Sequence, residues 1–412
     1  MSEDSKGFNF LVYSRALRSV AIIYMTLAAP LYLNQMHISL PDIGLIYVAV
    51  MVFAGAVNIT LGMLGDRYGY KKALIIGEVF PMLGGVILGF SSSVILIIVA
   101  IVIGGIGGVA GGLRGTFTPG TTALVASNYP DDRERVKRIS VLARTASAAS
   151  IIGALMLAWQ SYLSGYIGIE AAYRALFAFA ALLIFLSFIS VQFVKESKRP
   201  GKTTSIMKTS SRDYTLKVVS TNILNGAAIG ISMPLLPLML GLAFHIPAES
   251  LGFVIGFIYI PSYIGVTIGS YLAGRLSGRG NIVYIASCAR MLSGASLIVM
   301  GVFVGFAFFN MFTFLPLLLI VTMIYALRSV VGGFGSPSVN AINIRGIHNE
   351  DYGTASSIQG MAMSTSMASS GFSGYLIEYL LPAPLFVGGV IQIIGGMLYL
   401  KLFRKREVSA AG

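Results

Sequence analysis

Residues 62–74 read Gly-Met-Leu-Gly-Asp-Arg-Tyr-Gly-Tyr-Lys-Lys-Ala-Leu, a short polar turn wedged between two long apolar stretches. Gly62, Gly65 and Gly69 punctuate it, Asp66 and Arg67 form an acid–base pair, and Lys71 and Lys72 add a second basic pair. Glycines and charges at the edge of membrane-length segments mark a tight connection between two helices that cross a bilayer.

The rest of the chain agrees with that reading. Of its 412 residues 56% are hydrophobic, and the mean hydropathy is +0.81. A soluble protein of this length cannot hide so much apolar surface, so the class is a polytopic membrane protein. The opening residues, Met1 to Phe10, are polar and lead straight into a first span without a secretory signal pattern. Cys288 is the single cysteine, which excludes an internal disulfide. A net charge of +13 raises nucleic acid as a partner, but the placement of the charges argues against it. Lys and Arg gather in an N-terminal arm (Lys6, Arg15, Arg18), in the quoted turn, in 133–138, 195–217 and 275–279, and after Lys401. The intervening loops near 34–41, 241–248 and 306–313 carry none. Loop after loop, this is the positive-inside pattern, and it places both termini in the cytoplasm of a plasma-membrane protein whose other partner is the lipid bilayer.

Twelve spans are expected, near 15–35, 42–64, 71–91, 93–127, 138–163, 170–194, 214–242, 249–274, 281–307, 312–345, 352–378 and 384–402. Each is long enough for a hydrocarbon core of about 30 Å at about 1.5 Å per residue. A polar stretch rich in Lys, Ser and Thr separates the sixth from the seventh, so residues 1–194 and 214–412 are expected as two six-helix bundles joined by a cytoplasmic linker, 195–213. The halves echo each other. His37-Ile38 and Gly44 recur 208 residues on as His245-Ile246 and Gly252, and Pro119 and Asp132 recur 218 residues on as Pro337 and Glu350. A degenerate copy of the quoted turn begins at Gly274, with Arg275 in place of the acid Asp66.

The quoted turn resembles the loop between helices 2 and 3 of the major facilitator superfamily, G-x-L-x-D-R-x-G-R-K-x-x, with Tyr70 where Arg is commoner. Parallel repeats of six helices with a cargo site between them near the midplane are what that resemblance implies. It further implies that helices 1, 4, 7 and 10 line the cavity, that transport proceeds by alternating access, and that Asp66 helps close the cytoplasmic side. For that role Asp66 is expected against the N-terminus of the eleventh helix near Tyr352, with Arg133 or Arg135 as a side-chain partner. Only the N-terminal copy of the turn keeps the acid, so this gate is expected to be asymmetric. The stretch from Pro119 to Arg135 resembles the end of helix 4 and the following loop. The proline-glycine motif that proton-coupled drug antiporters carry in helix 5 is missing: the segment around Gly153 contains no proline.

Ionisable residues deep in spans cost about 2.5–3.5 kcal/mol each on insertion scales, so each needs a reason. Arg114, Arg144, Arg290 and Arg328 are read as internal bases against a single internal acid, Glu78. Arg114 and Arg328 fall on one face of equivalent spans, the fourth and tenth, where two guanidiniums would form a fork for a carboxylate or phosphate. Satisfaction by backbone carbonyls, or snorkelling to the cytoplasm, is the competing explanation. Arg144 lies within snorkelling reach of Lys137 and Arg138. Arg290 and Glu78, on peripheral helices, fit structural pairing, with Glu78 also the candidate proton carrier. Tyr24, Asn222 and Asn225 are polar residues on cavity helices that complete a candidate cargo site, or else tie helices together.

Gly104, Gly108 and Gly112 recur every four residues inside the fourth span and suit close helix packing. With no G-x-x-x-x-G-K-[ST], no ATP is expected as a partner, and gradients must drive any transport. His37, His245 and His348 match no metal spacing, so no metal and no cofactor is expected, and no nucleophile–base set supports an enzyme. The chain reads as a monomeric secondary transporter for a small organic or phosphate-type anion. Export of neutral or lipophilic compounds, of drug or sugar type, is the alternative. A non-transporting sensor on the same scaffold would usually add a soluble signalling tail, and only a short one follows Lys401.

Overall fold

The computed structural model describes residues 3–107, 132–196, 208–276, 281–348 and 352–404, with short pieces between 120 and 129. Among these, every regular element is a helix. The chain is an all-α polytopic membrane protein of twelve spans. These are α1 (Glu3–Gln35), α2 (Leu40–Tyr68), α3 (Tyr70–Phe90), α4 (Val94–Gly104), α5 (Asp132–Ile167) and α6 (Ile169–Gln192), then α7 (Thr209–Ser232, continued by Leu236–Ala243), α8 (Ala248–Leu276), α9 (Ile282–Phe308), α10 (Phe314–Arg345), α11 (Tyr352–Ser366 and Ser370–Tyr379, joined by the 3-10 turn Met367–Ser369) and α12 (Ala383–Phe403). Ten of them are long and apolar enough to cross a bilayer by themselves.

Two boundaries differ from expectation in ways that matter. The first apolar span begins at Gly7, not near residue 15, so Arg15 and Arg18 belong to the helix body and not to a basic arm. The fourth span does not run unbroken: α4 stops at Gly104, where Gly105 adopts a left-handed conformation (φ 60°). The Ile106 amide donates to the Ile101 carbonyl and the Gly105 amide to Val102, which satisfies two of the orphan carbonyls at the helix end. Of the glycine run, Gly104 packs closely against Gly84 of α3; Gly108 and Gly112 lie outside the described residues.

The internal repeat is visible in backbone geometry. His37 (φ 59°) and His245 (φ 48°) are both left-handed, and the amides of Ile38 and Ile246 both reach five residues back, to Leu33 and Gly241. Each histidine thus ends a helix with the same cap, 208 residues apart.

Close contacts gather the chain into two compact units: Met1–Ile38, Ala49–Ile206 and Pro247–Phe257 in one, Ser39–Val48, Met207–Ile246 and Ile258–Gly412 in the other. Each unit therefore takes one short segment from the opposite half of the sequence, and the two segments are repeat-equivalent. In the second unit the start of α2 packs on α11, where a Cβ on Gly44 would sit 3.0 Å from the Gly371 carbonyl and one on Gly374 would overlap the Leu40 carbonyl at 2.1 Å. In the first unit the start of α8 packs on α5, where a Cβ on Gly252 would lie 2.3 Å from the Leu157 carbonyl. Lipid tails are as apolar as leucine, so helices in a bilayer associate through such close backbone approaches and not through hydrophobic exclusion of water.

Candidate functional site

The quoted turn of the first unit is organised by a residue from the other end of that unit. α2 runs to Tyr68, and α3 starts at Tyr70 after Gly69, whose φ of 104° and ψ of 141° suit glycine alone. The first amides of α3 have no partners within the helix. Glu196, four residues past the end of α6, supplies them: its Oε1 accepts from the Tyr70 amide at 2.8 Å and its Oε2 from the Lys71 amide at 3.0 Å. A carboxylate at a helix N-terminus is favoured by the unpaired N–H groups and the helix dipole together. Gly69 is doubly constrained, because a Cβ there would also meet Glu196 Oε2 at 2.8 Å. Tyr70, the departure from the family pattern, is buried with its ring over Gly65, where a Cβ would come within 2.5 Å of Cδ1. Gly62 is buried, while Arg67 is exposed and stands 5.3 Å from the Tyr68 ring. Lys71 is half-buried and Lys72 exposed. The side chains of Asp66, Arg133 and Arg135 lie outside the described residues.

The buried acid has two partners. Glu78, 1% exposed in α3, accepts from Arg15 Nη2 at 2.9 Å and from Arg18 Nη1 at 2.7 Å, both on α1. Arg15 and Arg18 are themselves 6% and 4% exposed, so the three charges form a buried triad of net charge +1. Both carboxylate oxygens are committed to charge-assisted hydrogen bonds.

In the second unit, Arg328 stands on α10, one turn after Tyr325. Its Nε is enclosed and has no hydrogen-bond partner among the described residues. Tyr325 meets Tyr259 of α8 edge to face, with ring centroids 5.2 Å apart, and both tyrosines lie within electrostatic reach of the guanidinium. Tyr263, one turn along α8, is 2% exposed with an unpartnered hydroxyl. Small residues bring these helices together: a Cβ on Gly265 would approach the Ala326 carbonyl at 2.6 Å, and one on Gly333 the Val266 carbonyl at 2.5 Å. The result is an unpaired guanidinium donor beside two phenols, Tyr259 and Tyr325, with Tyr263 next to them and no ion pair to a carboxylate among the described residues.

The remaining expected site residues scatter. Arg114 lies outside the described residues. Asn222 is buried and Asn225 half-buried on α7. Tyr24 is fully buried inside the first unit, its hydroxyl donating to the Tyr173 carbonyl at 3.4 Å and its ring 5.4 Å from Phe177 of α6, which is the geometry of a helix–helix tie. Arg144 is exposed. Arg290 is buried over the Tyr399 ring at 4.4 Å. Sequence reasoning missed Glu196, Arg15, Arg18, Tyr259 and Tyr325 as participants. Only the three-residue spacing of Arg15 and Arg18, on one face of α1, offered a signal.

Repeated halves and a glycine-fastened turn between the second and third spans are features found among secondary-transporter folds. The Major Facilitator Superfamily model matches residues 13–371, and the chain is a member of that family. It is similar to the human chromaffin granule amine transporter, with 25% identity over 257 residues, or 62% of this chain and 46% of that protein. The rat protein of the same name is 24% identical over 238 residues, 58% of this chain and 43% of that one. A multi-drug resistance efflux pump PmrA homolog of Lactococcus lactis subsp. lactis is 27% identical over 183 residues, 44% of this chain and 42% of the pump. The matched stretches span less than half the length of these curated relatives.

Proposed function

We propose that the chain is a secondary transporter, working by alternating access in a plasma membrane with both termini cytoplasmic, whose cargo is a small organic or phosphate-type anion. The observation that carries this reading is Arg328, a guanidinium with an enclosed, unused Nε donor beside Tyr259 and Tyr325. An anionic group would satisfy that donor, and phenol hydroxyls would complete its coordination. Arg114 is proposed as the second arm of the fork, with Asn222 and Asn225 as uncharged ligands. A cationic cargo calls for a carboxylate, and the buried one described, Glu78, is already bound by two arginines. For the same reason Glu78 is a poor proton carrier, and exchange or uniport suits the chain better than proton symport. Asp66 is proposed as the cytoplasmic gate, where a contact with a helix N-terminus worth about 0.3–2 kcal/mol is enough to bias two conformations close in energy.

A second reading, export of lipophilic or amine-type compounds, is favoured by the names of the relatives. One experiment separates the two. Purified protein is screened by thermal shift against anionic, neutral and cationic metabolites, with Arg328→Gln alongside. The anion reading expects stabilisation by one anion class in the wild type and none in Arg328→Gln. Stabilisation by amines or neutral compounds, undiminished in Arg328→Gln, would overturn it. In liposomes, Asp66→Asn is expected to retain binding and slow transport; undiminished flux would remove the gating role.

A further inference from the structure

Besides Arg328, the second unit encloses another cation that the cargo site does not use. Arg290 on α9 is 7% exposed, and its Nη1 has no hydrogen-bond partner. Two hydroxyls nearby are in the same condition: Ser287 Oγ, one turn earlier on α9, and the Tyr399 hydroxyl of α12, on residues 1% and 0% exposed. The three share one seam. A Cβ on Gly396 would lie 3.1 Å from the Ser287 carbonyl, and one on Gly294 would lie 2.6 Å from the Gly389 carbonyl, so α9 and α12 run antiparallel with Ser287 level with Gly396. Helical side chains lean towards the N-terminus. The Arg290 guanidinium therefore passes the level of Ser287 to reach the Tyr399 ring, 4.4 Å from its centroid. Stacking on the ring uses one face of the guanidinium and leaves Nη1, at its edge, without a partner.

The repeat shows what is missing. Gly65 and Gly69 recur as Gly274 and Gly278, 209 residues on, and the same offset carries Glu78 to Ser287. In the first unit a carboxylate on α3 pairs with both buried guanidiniums. In the second unit the equivalent position is a hydroxyl, and the described carboxylates of that unit, Asp42, Asp213 and Glu378, are exposed. A buried guanidinium with an unused Nη1 donor beside two unpartnered hydroxyls, with no described carboxylate buried in that unit, forms a site of the right polarity for an anion.

We propose that Arg290, Ser287 and Tyr399 hold a chloride-sized inorganic anion in the α9–α12 seam, where it stands in for the carboxylate that Glu78 supplies in the other half. This site is structural and separate from the cargo site. Its test is the thermal midpoint of the purified full-length protein, titrated with chloride against gluconate at constant ionic strength. The wild type is expected to show a saturable rise in chloride. Ser287→Ala and Tyr399→Phe each remove one donor with little change of volume, and each should raise the half-saturating chloride concentration roughly tenfold, a factor worth about 1.4 kcal/mol and typical of a hydrogen bond to a charged group. Arg290→Gln should abolish the response, and Arg328→Gln should keep it. Equal midpoints of the wild type in the two salts, or an undisturbed response in both hydroxyl variants, would overturn the proposal. Loss of the response in Arg328→Gln alone would also overturn it, by moving the chloride to the cargo site.

Discussion

Replacing Glu78 by Met strands two guanidiniums, Arg15 and Arg18, between α1 and α3. The magnitude follows from the geometry. Two hydrogen bonds to a charged acceptor, at 2.9 and 2.7 Å, are lost from residues that are 6% exposed or less. Each is worth about 1.5–3 kcal/mol, in line with the roughly 3–5 kcal/mol measured when one member of a buried ion pair is removed. The folded-to-unfolded ratio should therefore fall by about two to four powers of ten. Removing the charges together is a different matter, because a buried triad replaced by apolar residues of similar volume is often neutral or better. The triple variant Arg15→Met, Arg18→Met, Glu78→Met should recover at least half of the loss. The assay is SDS titration of the purified protein in mixed micelles, followed by circular dichroism. If Glu78→Met unfolds at the same SDS fraction as the wild type, the triad does not fasten α1 to α3. If it is stable but transport loses its pH dependence, Glu78 carries a proton and the structural reasoning fails.

Two further predictions concern the turn and the exchanged segments. Glu196→Ala leaves two α3 amides uncapped and should cost about 1–2 kcal/mol, read as a lower thermal midpoint; Glu196→Asp, one methylene shorter, should recover part of it. Gly374→Ala places a Cβ 2.1 Å from the Leu40 carbonyl and should destabilise by about 1–3 kcal/mol through overpacking, whereas Gly165→Ala, with open space around its Cβ, should leave the midpoint unchanged.

Span count, family and repeat could be read from the chain because each rests on local pattern: apolar length, the glycine–acid turn, and fixed offsets such as that from His37 to His245. What escaped involves pairing across sequence distance. Arg15 and Arg18 look like topology charges until the helix is seen to begin before them, and their acid lies some sixty residues away. Glu196 sits at the edge of a polar linker, and nothing nearby in sequence points to the α3 amides it caps. Nothing in the sequence singles out Tyr259 and Tyr325, since only the packing of α8 on α10 sets them beside Arg328. The break after Gly104 was hidden by a glycine spacing that suits an unbroken packed helix equally well.

The borrowed segments impose an order on biosynthesis. Gln160 of α5 is fully enclosed without a partner for either side-chain atom, and its cover is α8 at Gly252. A ribosome adding about 5–20 residues per second finishes α5 several seconds before it delivers residues 247–257. During that interval the nascent first half presents a bare carboxamide and a glycine-fitted groove to lipid. It is complete in helices yet unfinished in surface until the start of α8 arrives.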